Sequence, residues 1–203
     1  MKLATAAITF CSLALGAFGR LPRAEYREFI PSWEVEVRPG ETAILNGTIQ
    51  EVRAELLKRN PDWDTQYPVQ NTTKRDPGHM DGWNYINVFP KDTKILCGIW
   101  SRSEAWTAVL INFALSLDRA AKIGQPKNGA GPGNCGRVGC EYNTGIWWCN
   151  DSPEPKTLSS FTDITDAIQV LQYTKDCSAE GSAQVFHPDN WNVIVSGKEG
   201  LEC

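Results

Sequence analysis

The spacing of apolar residues changes period several times along this chain, and each change marks an element. Ile49, Val52 and Leu56 fall on one face at helical spacing behind Thr48, a residue suited to cap a helix start, and Asn60-Pro61 stops the pattern. Lys94 to Trp100 reads KILCGIW, a strand of β-branched and aromatic residues. A helix follows, opened by Ser101 and Glu104 as a capping box and closed by Gly124, with Trp106, Leu110, Phe113 and Leu117 on one face. Gln125 to Asn134 is rich enough in Gly and Pro to read as a loop. Gly136 to Tyr142 and Gly145 to Asn150 are β-prone runs around a turn at Asn143, which makes a hairpin. Ile164, Ile168 and Leu171 share a face of a helix over about Ser160 to Lys175, and Trp191 to Ser196 (WNVIVS) is the last strand.

From residue 94 onward the order is therefore β-α-β-β-α-β. It predicts an α+β fold, one antiparallel sheet with two helices on one face in the split β-α-β arrangement. No internal repeat is evident. The chain ahead of it is different in kind. Met1 to Gly19 carries Lys2, an uncharged stretch, and the small-x-small run Ala17-Phe18-Gly19, the pattern of a signal peptide. Residues 20–75 have no cysteine, Pro-rich edges and one isolated helical pattern, which reads as a leader or pro-segment before a cysteine-rich core at 76–203. One helix cannot form its own core, so this leader must pack on the rest or be loose.

Composition sharpens the compartment. Of 7 cysteines, Cys11 leaves with the signal peptide, and Cys97, Cys135, Cys140, Cys149, Cys177 and Cys203 remain, an even set that an oxidising export route would join in three bridges. Each bridge stabilises by roughly 2–4 kcal/mol, which matters for a domain of limited core. The sequence leaves the pairing open. Metal binding is disfavoured: the spacing C-x4-C-x8-C lacks any C-x-x-C, and only His79 and His187 supply imidazole. No cofactor is implied. A net charge of −4 gives no basis for a nucleic-acid partner, and after the export signal no run reaches the length of a membrane span.

Two kinds of modification signal lie along the chain. Sequons stand at Asn46, Asn71 and Asn150, although Asn150, at a strand end beside Cys149, is equally placed to cap or turn the chain. Dibasic pairs stand at Lys58-Arg59 and Lys74-Arg75. The second, followed by Asp76-Pro77-Gly78, is the favoured processing site for a furin-like or kexin-like protease, because that turn would keep it accessible.

The run Gly133-Asn-Cys135-Gly-Arg137-Val138-Gly-Cys140, then Ile146-Trp-Trp-Cys149-Asn150-Asp151, then Trp191-Asn192-Val193-Ile194-Val195 before a last cysteine, resembles a family of small cysteine-rich secreted proteins of filamentous fungi. The likeness covers residues 94–203. The element order is also similar to the killer-toxin α/β sandwich of a smut-fungus virus, which has relatives among fungal effectors. The resemblance implies a secreted, effector-like or toxin-like protein acting outside the cell or on a host, with possible later delivery into host cells.

Chemistry is sparsely signalled, and no catalytic residue is assigned. Arg137, Glu141 and His187 offer a cation, an acid and a base that a small ribonuclease could use. Strict alternation puts Arg137 and Glu141 on one face, where an ion pair is the simpler reading. Neither histidine sits in a catalytic motif. Among the aromatics Trp100, Trp106, Trp147, Trp148 and Trp191, the adjacent Trp147 and Trp148 must face opposite ways, so that one, beside Tyr142 and Asn143, could stack on a sugar or a protein. The alternative is that both are covered, one by helices and one by the leader. The expected activity is binding of a host or competitor protein or glycan, without catalysis. A secreted hydrolase such as a small ribonuclease, or a carbohydrate-binding wall protein, is the alternative.

Overall fold

The computed structural model describes residues 26–68, 89–103, 106, 125–197 and 203. In chain order its elements are β1 (Arg27–Phe29), β2 (Ser32–Arg38), β3 (Glu41–Asn46), α1 (Ile49–Arg59), α2 (Trp63–Gln66), β4 (Ile95–Cys97), β5 (Pro126–Asn128), β6 (Asn134–Glu141), β7 (Thr144–Asn150), β8 (Lys156–Thr157), α3 (Thr162–Tyr173), α4 (Lys175–Glu180), β9 (Ala183–His187) and β10 (Trp191–Gly197).

The single expected sheet is corrected to two. A six-stranded sheet runs β1-β6-β7-β10-β9-β4, antiparallel except where β1 joins β6 in parallel. A four-stranded sheet runs β3-β2-β5-β8. The fold is mixed α/β with three disulfides, Cys97–Cys177, Cys135–Cys149 and Cys140–Cys203. Strand β5 lies inside the segment expected to be a loop. Lys127 bonds toward β2 while Pro126, lacking an N–H, faces β8 and gives its carbonyl to Leu158. The expected strand at 94–100 shortens to β4, because Gly98 turns out at φ 69°. The helix expected at 160–175 is α3, and Cys177 rides on the separate helix α4. The helix expected from Ser101 to Gly124 lies outside the described residues except at its start and at Trp106, which is buried in the main core.

That core shows why the segment ahead of the cysteines folds. In β2, Trp33, Val35 and Val37 alternate inward against Leu45 of β3, while Glu34 and Glu36 face out. Helix α1 starts at a capping box in which Glu51 accepts from the Thr48 backbone N–H and the Thr48 hydroxyl accepts from Glu51 N–H. Its buried stripe is Ile49, Val52 and Leu56. Trp33 stacks on Phe161 with ring centroids 4.7 Å apart and donates from Nε1 to the Gly47 carbonyl at 2.6 Å. Trp63 donates to the Glu36 carbonyl at 2.9 Å. These side chains form one continuous core with Val138, Ile146 and Trp148 of the six-stranded sheet and with Ile164, Ile168 and Leu171 of α3. From Phe29 to Tyr67, the segment read as a leader is therefore built into the same core as the cysteine-rich segment, which realises the packed alternative. The boundary at residue 75 lies outside the described residues.

Candidate functional site

The hairpin β6–β7 sits at the middle of the six-stranded sheet and carries the cysteine motif. Cys135 and Cys149 are cross-strand neighbours in its register, so their bridge staples the ribbon directly. Trp148 and Ile146 point into the main core, and Trp147 and Cys149 point to the opposite face, where a second cluster forms with Cys135, Cys140 and Ile194 under Tyr26 and Trp100. Trp147 lies flat along its own strand over Gly145, whose position on that face leaves no room for a Cβ beside the indole. Both tryptophans are buried, so neither is an exposed stacking platform. One is covered by the helical side. The other is covered by Tyr26 and Trp100.

The residues after Cys149 hold the adjacent loop. Asn150 donates from Nδ2 to the carbonyls of Gly129 and Glu154, both at 2.8 Å, and its Oδ1 accepts from Ser152 N–H at 2.9 Å, an Asx turn. The asparagine is fully buried, which corrects its reading as a glycan acceptor: the nitrogen a sugar would occupy has two protein partners. Asp151 accepts from Asn192 Nδ2 at 2.6 Å and from Gly133 N–H at 3.4 Å. Asn192 in turn accepts from Gln184 Nε2 at 3.0 Å. Residues of the C-N-D and WNVIV runs thus serve one purpose, fastening the 129–133 loop and β10 to the hairpin end.

The three candidates for chemistry do not meet. A β-bulge between Arg137 and Gly139 shifts the register, so that Arg137 opposes Trp147 on the outer face while Glu141 opposes Thr144 on the inner one. Strict alternation, which placed them on one face, fails at Val138. His187 stands in the strand row of Trp191, and Glu141 in that of Thr144 and Gly197. Six residues of β10 separate those rows, about 20 Å at a strand's rise, and three strand spacings separate β9 from β6, about 14 Å more across the sheet. The His187 ring stacks on Trp191 at 4.6 Å, meets the edge of Phe89, and accepts from Asp189 N–H at 3.1 Å, the role of an aromatic wedge at the sheet end.

What the hairpin does expose is its tip. Tyr142 and Asn143 form a two-residue turn with φ of 47° and 57°, the left-handed pair that strand twist favours in short hairpins. Asn tolerates that region, but a bulky aromatic is strained there by about 1–2 kcal/mol. Tyr142 nevertheless occupies it, 66% exposed, with Thr144 returning a hydrogen bond to its carbonyl at 3.3 Å. The sequence reading passed over this residue as a neighbour of the tryptophans. The signal available was Tyr at a position where a short turn calls for Asn or Gly.

Of the other marked residues, Asn46 is exposed at the end of β3. Lys58 and Arg59 form the last turn of α1, where Arg59 donates to Glu55 at 2.8 Å and its carbonyl accepts from Arg38, so that pair is helical and not an extended protease substrate. Asn71, Lys74, Arg75 and His79 lie outside the described residues. Among the described residues no cluster of His, Cys, Asp and Glu is arranged to hold a metal ion, and no helix is long and apolar enough to cross a membrane. No family model, curated protein or solved structure matches the chain.

Proposed function

We propose that this chain is a secreted, effector-like or toxin-like protein of the fungal cysteine-rich type, which acts without catalysis by binding a host or competitor protein or glycan through the β6–β7 tip. The observation that carries this reading is Tyr142, an exposed aromatic held in a backbone conformation that disfavours it. Strain kept at an exposed aromatic is a mark of function. A disulfide at the base of the same hairpin makes the tip a rigid presenter, which lowers the ordering cost of binding. Export through the Met1 to Gly19 signal, processing at Lys74-Arg75 and sugar at Asn46 and Asn71 belong to the same proposal. So does the killer-toxin-like placing of a second helix beside α3, which the burial of Trp106 in the α3 core supports.

Fluorescently labelled protein should bind saturably to intact cells of at least one candidate host or competitor, with unlabelled protein competing. Tyr142→Asn should keep the fold and compete about tenfold less well, the loss of one aromatic anchor. Equal competition by Tyr142→Asn would remove the tip from the reading. RNA cleavage by the purified protein that His187→Ala abolishes would replace binding with catalysis.

A further inference from the structure

Strand β3 ends the four-stranded sheet, and among the described residues no strand lies beyond it. Its backbone polarity follows from the pairing with β2. Gly47 N–H donates to the Pro31 carbonyl at 3.0 Å, so the pair Pro31 and Gly47 is hydrogen-bonded. In an antiparallel ladder such pairs alternate with non-bonded ones. Trp33 with Leu45 and Val35 with Ala43 are then bonded, while Ser32 with Asn46, Glu34 with Ile44 and Glu36 with Thr42 are not. The N–H and C=O groups of Thr42, Ile44 and Asn46 consequently point away from β2, toward the side on which no described strand lies. The side chains of the same three residues are exposed, and Ile44 at the centre is 69% accessible.

Natural edges are protected by lysine, proline, a bulge or a covering segment. β3 reads Glu-Thr-Ala-Ile-Leu-Asn, with neither lysine nor proline, and the bulge of this hairpin lies in β2 near Val37. The edge is also complementary to itself. When a second copy is set antiparallel about a two-fold axis through Ile44, Thr42 faces Asn46 of the second copy, Ile44 faces its own equivalent, and all three outward N–H groups and all three outward carbonyls of each strand meet a partner. In that register the inward residues Ala43 and Leu45 oppose each other and each sheet face continues across the join, as the period of two requires.

We infer that the β3 edge is a self-association surface, at which two copies of this chain join their four-stranded sheets into one continuous sheet with Ile44 against Ile44 at the two-fold axis. An edge-to-edge join buries little area, so the dimer is weak, with a dissociation constant on the order of 10 µM. A sugar on Asn46 would stand on the outer face opposite Thr42 of the second copy, so the glycosylated form is monomeric.

Sedimentation velocity of the full chain, freed of N-glycans, from about 1 to about 300 µM reads this directly. The expected result is a concentration-dependent monomer–dimer equilibrium. Ile44→Lys sets two like charges at the axis and should raise the dissociation constant at least about tenfold. Thr42→Pro removes an edge N–H that β2 does not use and should do the same. Ile30→Lys, an exposed apolar residue off the edge, should leave the equilibrium unchanged. Circular dichroism and melting temperatures like those of the parent establish that each variant is folded. A monomer throughout the range, or a dimer that survives both Ile44→Lys and Thr42→Pro, overturns the inference.

Discussion

Replacing Trp33 by alanine should remove about 4–5 kcal/mol of stability, and the cost should fall on the whole protein. The side chain is fully buried, and an indole covers roughly 150–250 Å², which at about 25 cal/mol per Å² is at most ~4–6 kcal/mol of transfer free energy. Measured tryptophan truncations in cores cost about 3–5 kcal/mol. The stack on Phe161 and the hydrogen bond to the Gly47 carbonyl each add about 1 kcal/mol. A domain of this size has only about 5–15 kcal/mol in total, so the variant should be near its unfolding threshold. Urea unfolding with the disulfides intact, followed by tryptophan emission and by far-ultraviolet circular dichroism, measures the loss. Both probes should move together, because Trp33 in β2 and Phe161 at the start of α3 belong to one core. A Trp33→Leu, Phe161→Leu double-mutant cycle should return a coupling of about 1 kcal/mol. A loss below about 1.5 kcal/mol, or a separate early transition for the N-terminal segment, would refute the claim that it is integral.

The bridges should rank by the chain they close. Paired Cys→Ala variants at Cys97 and Cys177, 80 residues apart, should lose about 4.5 kcal/mol, against about 3 kcal/mol for Cys135 and Cys149, 14 apart, read as shifts in urea midpoint. Endoglycosidase treatment and peptide mass analysis should find sugar at Asn46 and none at Asn150, whose amide is committed to Gly129 and Glu154. The Glu55 carboxyl is held below its usual value of 4.5 chiefly by the hydrogen bond from Arg59. Its folded pKa is depressed, so the contact stabilises above pH 4.5 and is lost as pH falls through the lower folded value. Carbon-detected titration of Glu55 should show a midpoint below 4.5 that returns toward it in Arg59→Gln.

Elements with strong local marks were legible in the sequence. Helix α1 behind its Thr48 cap, the β6–β7 hairpin, α3 and β10 all lie within a few residues of where the sequence places them. The losses have identifiable causes. Strand β9 was missed because its alternation lasts only from Ala183 to Val185: Phe186 puts an apolar residue on the face of Gln184, and His187 puts a polar one on the face of Val185. Strand β5 was hidden by Pro126 and by flanking glycines, since proline is acceptable where the partner strand asks for no N–H. The bulge at Val138 defeated the same-face reading of Arg137 and Glu141, because a period-two argument has no local means of seeing an inserted residue. The absence of cysteine from residues 20–75 encouraged a division between leader and core, yet burial joins what covalent bridges do not: Trp33 stacks on Phe161, far beyond any local pattern, and Leu56 and Trp63 lie in the same core cluster.

The central claim is that the N-terminal segment and the three-bridge portion are one folded unit. Native mass spectrometry of the protein taken from culture fluid tests this in one experiment. Residues 26–68 should be present in the same assembly as the cysteine-bearing segment, either in one chain or, after cleavage at Lys74-Arg75, as a non-covalent pair that separates on denaturation without reductant, with no free thiol detected. A lone 76–203 species that remains folded, or free thiols in the native protein, would contradict the account.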